Sequence, residues 1–191
     1  MRSLSKRPLL LVLAVALAQT MALGWMVYGH AMLIAHGREI LLDVTPVDPR
    51  SLFRGDYVTL TYPAAMRPVD DLTEADRRAG GIRTGYLMLE KPAGASVWQS
   101  VRASLAKPTP AADQVVIRGS IDLSANWIDN SQIFVRPGIG AYFVPEGEGR
   151  RIERSIRDGS VQVIVAVDEE GNAGIKGIVI EGKRIYDEPL L

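Results

Sequence analysis

The strongest limit on how this chain folds is an apolar run from Leu9 to Ile34, which has few polar interruptions. A helix needs roughly 20 apolar residues to cross the hydrocarbon core of a bilayer, and this run is at least that long. The basic residues Arg2, Lys6 and Arg7 precede the run, and no acidic residue does. Because flanking basic residues stay on the cytoplasmic side, we expect the N-terminus in the cytoplasm and the rest of the chain outside it.

A cleaved signal peptide is the competing interpretation of this run. Leu9 to Ala18 would be its apolar core, and Ala16-Leu-Ala18 would supply the small residues of a cleavage site. The apolar run continues well past Ala18, through Trp25 and Leu33. A chain cleaved there would expose this long apolar strip to water. We therefore favour a retained anchor.

These observations divide the chain into two predicted parts. Residues 1–36 are the cytoplasmic N-terminus and transmembrane anchor, and residues 37–191 form one extracytoplasmic domain. The predicted location is the inner (cytoplasmic) membrane, crossed once, with the domain in the periplasm of a Gram-negative-type cell. The anchor would contact membrane lipid along its length.

Composition excludes several function classes. Three of the 22 basic residues precede the apolar run, so the predicted domain carries 19 bases against 22 acids and offers no electrostatic footprint for nucleic acid. The chain has no cysteine, and both of its histidines, His30 and His36, lie in or beside the apolar run. The domain therefore lacks a Ser-His-Asp triad, a histidine base, a cysteine nucleophile and a histidine-ligated zinc. We expect no cofactor, no metal and no enzymatic activity.

The pattern beyond the anchor predicts many short strands. Short apolar or alternating segments bounded by Gly, Pro, Asn and Asp are typical of antiparallel β-structure. We predict strands over residues 39–44, 57–62, 85–90, 96–104, 114–121, 132–135, 161–167, 175–180 and 184–186, and short helices near 74–78 and 150–157. The predicted fold class is mainly β: a single N-terminal transmembrane helix followed by one antiparallel β-rich domain with one or two short helices.

The segment from Asp48 to Tyr62 combines two turns with an alternating strand. The turns carry charges of both signs on Asp48, Arg50, Arg54 and Asp56. These side chains either form a surface ion-pair network or present two guanidinium groups to a carboxylate or phosphate. Gly55-Asp56 is itself a common turn pair. Because Tyr57 and Tyr62 lie on opposite strand faces, at least one is expected in the core.

A second segment, residues 142–149, has aromatic residues followed by acids between glycines. Its sequence is Tyr-Phe-Val-Pro-Glu-Gly-Glu-Gly. Glu146 and Glu148 either provide favourable charge at a helix N-terminus or border a cleft with Asp56, where they would bind a cation or act as acid and base. The candidate binding residues are therefore Asp48, Arg50, Arg54, Asp56, Tyr57, Tyr142, Glu146 and Glu148.

Residues 55–62, Gly-Asp-Tyr-Val-Thr-Leu-Thr-Tyr, match every fixed position of the motif after which the GDYXXLXY family of bacterial membrane-anchored proteins is named. Asp48-Pro-Arg50, Leu52-Phe-Arg54 and residues 140–149 are similar to other recurrent stretches of that family. The resemblance extends over essentially the whole chain. Family members are often encoded near multispanning membrane proteins, so the resemblance implies an accessory of a membrane complex.

A looser likeness is to the bacterial type I signal peptidases, which also have an anchor, a proline-containing turn, Gly-Asp and an alternating strand. The positions that match their nucleophilic serine are Val47 and Asp48, and Ser51 falls after Pro49. A nucleophile needs a base within hydrogen-bond reach. The candidate lysines are all expected in or beside turns; they are Lys91, Lys107, Lys176 and Lys183.

Two functions follow from these arguments. The first is a non-enzymatic accessory that docks a multispanning membrane partner through the turn at 48–62 and the loop at 142–150. The alternative is a hydrolase that uses carboxylates or a cryptic Ser/Lys pair. A hydrolase requires at least two of the acidic candidates to converge in a concave pocket, whereas a docking module presents them around a flatter patch.

Overall fold

The computed structural model describes residues 6–45, 57–124, 133–143 and 161–187. Two α-helices lie in these ranges, α1 (Lys6–His36) and α2 (Glu74–Ala79), with one short 3-10 helix (Pro63–Ala65). The strands are β1 (Arg38–Asp43), β2 (Tyr57–Thr59), β3 (Ile82–Glu90), β4 (Gln99–Ser104), β5 (Gln114–Asp122), β6 (Arg136–Pro137), β7 (Ala141–Phe143), β8 (Val161–Val167), β9 (Ala173–Ile180) and β10 (Lys183–Asp187).

The first sheet has the order β1-β8-β9-β10, with every pair antiparallel. Its central hairpin is the predicted one, because β8 is rich in β-branched residues and a polar turn follows it. In that turn the Asp168 carboxylate accepts hydrogen bonds from the backbone N–H of Asn172 and from its side-chain amide, both at 2.7 Å. Gly171 supplies the positive φ of 89° that the turn needs.

The second sheet has the order β4-β3-β5-β6 and is also antiparallel. Gly85 of β3 lies directly opposite Gly119 of β5. A Cβ at Gly119 would lie 2.4 Å from the carbonyl oxygen of Arg136 in β6, and one at Gly85 would lie 2.2 Å from the side chain of Ile121. Gly119 therefore lets β6 approach β5 closely, and Gly85 leaves room for the Ile121 side chain.

Helix α2 begins where the sequence predicts it. Thr73 is its N-cap and forms a capping box with Asp76, and the helix ends at Gly80, whose φ is 59°. Asp70 and Asp71, which precede this cap, bind the end of β4. Asp70 accepts a hydrogen bond from the Ala103 N–H (3.1 Å), and Asp71 accepts one from Leu105 (2.7 Å).

The buried side chains of both sheets form one hydrophobic cluster, so the predicted mainly β fold is confirmed. Its members with at most 2% of their surface exposed include these residues of the central strands: Leu87, Leu89, Ile117, Ile121, Val163, Val165 and Ile178. Two further backbone bonds join the sheets, from Arg118 N–H to Gly171 (2.7 Å) and from Trp98 N–H to Leu41 (2.9 Å).

Several predicted strand boundaries are wrong: β2 ends at Thr59 rather than at residue 62, β3 begins at Ile82 rather than at residue 85, and two further strands also differ. The strand expected from residue 96 begins at Gln99, because Trp98 directs its N–H to β1 of the other sheet. The strand expected over 132–135 does not form in its described part: Phe134 makes only an isolated bridge with Pro68, and β6 begins at Arg136. Tertiary pairing, which a local pattern cannot report, determines both boundaries.

Helix α1 is long and apolar enough over Leu10–His36 to cross a membrane. Its side chains from Leu10 to His30 are all exposed, whereas the last turn packs on the first sheet through buried Ile34. A Cβ on Gly174 of β9 would lie 2.9 Å from Ile34 Cδ1, which shows how closely they pack. Only Gly37 separates α1 from β1, so the helix joins the β-rich part without a linker.

Candidate functional site

The motif segment at 48–62 and the segment at 142–149 meet in the folded chain through a pair of short strands. β2, which carries the start of the alternating strand, is antiparallel to β7 in a two-stranded sheet. Tyr57 lies opposite Phe143, Val58 opposite Tyr142, and residue 59 opposite residue 141. Residues 56 and 144 therefore continue from the same end of this ladder. The pairing joins segments that lie far apart in the sequence.

The second half of the motif is held firmly in the fold. Leu60 and Tyr62 are both buried in the core, as the predicted alternation requires. The Leu60 N–H donates to the Gly140 carbonyl (2.9 Å), and the Tyr62 hydroxyl donates to the Ile139 carbonyl (2.7 Å). Burial raises the pKa of Tyr62 above its ordinary value, so this phenol stays neutral and keeps donating. These two motif residues have a structural role.

Thr61, between them, ties the motif strand to the first sheet. The Thr45 N–H donates to the Thr61 carbonyl at 2.8 Å, and the Thr45 hydroxyl donates to the same oxygen at 3.1 Å. Thr45 follows β1, so the motif strand lies between the end of β1 and the segment 139–143. The chain thus leaves the side of the motif strand at Thr45 and enters that strand at Tyr57.

The candidate residues fall into two groups in the structure. Tyr57 and Tyr142 lie on neighbouring strands, and the backbone places them one register position apart. The other six lie outside the described residues; they are Asp48, Arg50, Arg54, Asp56, Glu146 and Glu148. The predicted helix at 150–157 also lies outside them. The described backbone thus joins the two segments, and the charged candidates follow or precede them along the chain.

The expectation that the four candidate lysines lie in or beside turns is wrong for Lys176. Lys176 lies inside β9, and its ammonium pairs with the Glu39 carboxylate of β1 at 2.9 Å. Arg184 Nη1 of β10 lies 3.9 Å from the other oxygen of Glu39. The hydrogen bond from Lys176 is the main reason that the pKa of Glu39 lies below its ordinary value. This lysine serves an ion pair across the sheet.

Replacing Glu39 by Gln should lower the free energy of unfolding by about 0.5 kcal/mol near pH 7, since the carboxylate is 44% exposed and well screened. The folded-state pKa of Glu39 is depressed, so its contribution is present above the unfolded-state value of about 4.5 and is lost as the pH falls through the folded-state value. Denaturant unfolding of both proteins from pH 7 to pH 3 checks this. If the difference in unfolding free energy between the two proteins stays constant over this range, the Glu39 carboxylate does not stabilise the fold through this ion pair.

Sequence reasoning missed the residues that position the motif strand. Ile139, Gly140 and Thr45 supply its backbone partners, and no local signal in the sequence marks them as such. Within the described ranges, no group of three or more histidine, aspartate and glutamate side chains is placed to hold a metal ion.

Comparison with known proteins gives one positive result. A family model described as "GDYXXLXY protein" matches residues 19–178, which includes both recurrent segments and most of α1. No curated protein and no solved structure matches the chain.

Proposed function

The chain belongs to the GDYXXLXY family, and from this and the site geometry we propose that it is a membrane-anchored extracytoplasmic accessory protein. It docks a multispanning membrane partner through the end of the β2–β7 ladder, at which the segment 48–56 ends and the segment 144–150 begins. The observation that carries the proposal is the register of that ladder, in which Tyr57 lies opposite Phe143. This register pairs the two strands from which the charged segments of the sequence continue along the chain.

The division of the motif supports a recognition role for its first half. Leu60 and Tyr62 are buried and hydrogen-bonded within the core, so packing accounts for them. Gly55 and Asp56 precede the ladder, next to the charged turn. Exposed charged groups contribute little to stability but steer and orient a partner through complementary charge.

The exposed apolar surface of α1 and the charges before it support a membrane anchor with its N-terminus in the cytoplasm. Its side chains from Leu10 to His30 are exposed, and a surface this apolar requires lipid or protein around it. Arg2, Lys6 and Arg7 precede its apolar run without any acid, which favours a cytoplasmic N-terminus and a periplasmic domain.

The join between helix and domain favours docking within the membrane complex. A Cβ on Gly37 would lie 2.5 Å from the Leu33 carbonyl oxygen and 3.0 Å from Ala166 Cβ, so the chain turns tightly against the first sheet. The domain is therefore held next to the membrane surface rather than on a flexible tether. A partner reached from this position is one that itself emerges from the membrane.

The test is crosslinking in native membranes followed by copurification of the full chain, beside Asp56→Ala. Asp113→Ala is the matched control, because Asp113 is an exposed aspartate in another turn. We expect a multispanning protein to be recovered with the natural chain and the control, and recovery to fall at least about tenfold with Asp56→Ala. Unchanged thermal unfolding must show that the variant is folded.

Equal recovery with Asp56→Ala would remove the motif from the interface. If the natural chain is recovered alone, the docking proposal fails. The hydrolase alternative would then be examined through the geometry of the acidic candidates Asp48, Asp56, Glu146 and Glu148.

A further inference from the structure

A groove of about 650 Å³ lies where α1 meets the β-rich part. Its lining includes Gly29 and Met32 of the helix and residues of the loop from Lys107 to Ala112. The turn between β8 and β9 adds Glu169 and Glu170 to the lining. An apolar helix face thus lies beside charged loop residues.

The groove lies at the depth expected for lipid headgroups. A helix crosses the hydrocarbon core with roughly 20 residues, and counting from Leu10 ends that span near Gly29. Trp25 and Tyr28, whose ring centroids are 6.5 Å apart, are both exposed on the turn before Gly29. Exposed tryptophan and tyrosine on a spanning helix are typical of the membrane–water interface.

The helix wall leaves room for a bound molecule. A Cβ at Gly29 would meet no atom within 4 Å, so packing within this chain does not require glycine there. A glycine inside a helix costs up to about 1 kcal/mol relative to alanine. Its small size keeps the groove open on the side where acyl chains would run.

The charged wall carries groups of both signs. The Lys107 ammonium donates one of its three hydrogens to the Glu169 carbonyl at 3.2 Å. Arg38 supports the inner wall: its guanidinium donates to the Ala112 carbonyl at 2.9 Å and stacks over Trp98 at 5.0 Å. The carboxylates of Glu169 and Glu170 belong to exposed residues of the turn.

We propose that this groove binds one phospholipid with a zwitterionic headgroup that ends in a primary ammonium. Lys107 contacts the phosphate, Glu169 and Glu170 accept hydrogen bonds from the ammonium, and the apolar face at Gly29 and Met32 contacts the acyl chains. The inference rests on the membrane anchor of the proposed function but does not depend on a protein partner.

The charge balance decides between headgroups. The lining includes three acids, Asp168, Glu169 and Glu170, against the two permanent cations Arg38 and Lys107. An anionic headgroup would meet a net negative wall, whereas a zwitterionic one satisfies both signs. A primary ammonium also donates hydrogen bonds to carboxylates, which a quaternary ammonium cannot do.

Native mass spectrometry of the purified full chain tests the proposal in bilayer nanodiscs that contain equal parts of phosphatidylethanolamine, phosphatidylglycerol and phosphatidylcholine. We expect one phosphatidylethanolamine to be retained per chain, with at least about tenfold preference over each other lipid. Gly29→Leu fills the groove from the helix and should abolish this preference. Gly24→Leu is the matched control, because a Cβ there also meets no atom within 4 Å, and Gly24 lies outside the groove.

A second variant tests the headgroup contact without changing the helix. The double substitution Glu169→Gln with Glu170→Gln should bring the preference for phosphatidylethanolamine close to one. Glu181→Gln, in the exposed turn at the opposite end of β9, should keep it. Retained secondary structure by circular dichroism confirms folding of each variant.

Two outcomes would overturn the proposal. The first is a preference for phosphatidylglycerol or phosphatidylcholine, or no preference, in the natural chain, and the second is equal loss of the preference in Gly24→Leu. Because the nanodiscs contain the purified chain alone, these results are independent of Asp56→Ala and of partner recovery.

Discussion

Ile117→Ala is expected to lower the free energy of unfolding by about 3 kcal/mol, the central cost of emptying a buried isoleucine site. Ile117 has no exposed surface and lies in β5, an internal strand of the second sheet, directly opposite Leu87. The backbone hydrogen bonds of β5 on both sides prevent the strand from collapsing into the space. The lost methylene burial and the residual cavity therefore add together.

Denaturant unfolding of the full chain in detergent measures this effect, with far-ultraviolet circular dichroism as the signal. Ile82→Ala is the control, since Ile82 lies on β3 of the same sheet but is 75% exposed, and it should cost no more than about 0.5 kcal/mol. Similar losses in the two variants would contradict the described core.

Elements with a strong local pattern were predictable from the sequence. The β8–β9 hairpin follows from a β-branched run, a turn with glycine and a second apolar run. Thr73 and Asp76 form the capping box that starts α2. In each case the interactions that define the element lie within a few residues, so the local sequence contains the necessary information.

Features that depend on distant pairing were not predictable. The pairing of β2 with β7, the role of Ile139 as acceptor for Tyr62, and the ion pair of Lys176 with Glu39 all depend on which strands become neighbours. A hydrophobic alternation shows that a strand has a buried face, but it does not identify the strand beside it.

The candidate site was also predictable only in part. The buried half of the motif was expected from alternation, and Leu60 and Tyr62 lie in the core accordingly. The neighbourhood of the two recurrent segments required the folded backbone, because no residue in either segment is specific for the other. The groove beside Gly29 likewise arises only from the packing of α1 on the first sheet.

The second large effect is expected in crosslinking to a partner from the β2–β7 ladder. If a partner docks where β2 and β7 end, a crosslinker on β2 lies within reach of it. Successive residues of a strand lie on opposite faces, so crosslinkers at positions 58 and 59 sample both faces of β2. The chain has no cysteine, so a single introduced cysteine carries the crosslinker at one site only. We expect a near all-or-none difference between this strand and a distant exposed turn.

The most direct measurement is therefore photocrosslinking in native membranes from three single-cysteine variants, Val58→Cys, Thr59→Cys and Glu181→Cys. We expect a discrete adduct with a multispanning membrane protein from position 58 or 59, and none from position 181, in the exposed turn between β9 and β10. The same adduct from position 181, or no adduct from either position on β2 in a folded chain, would contradict it.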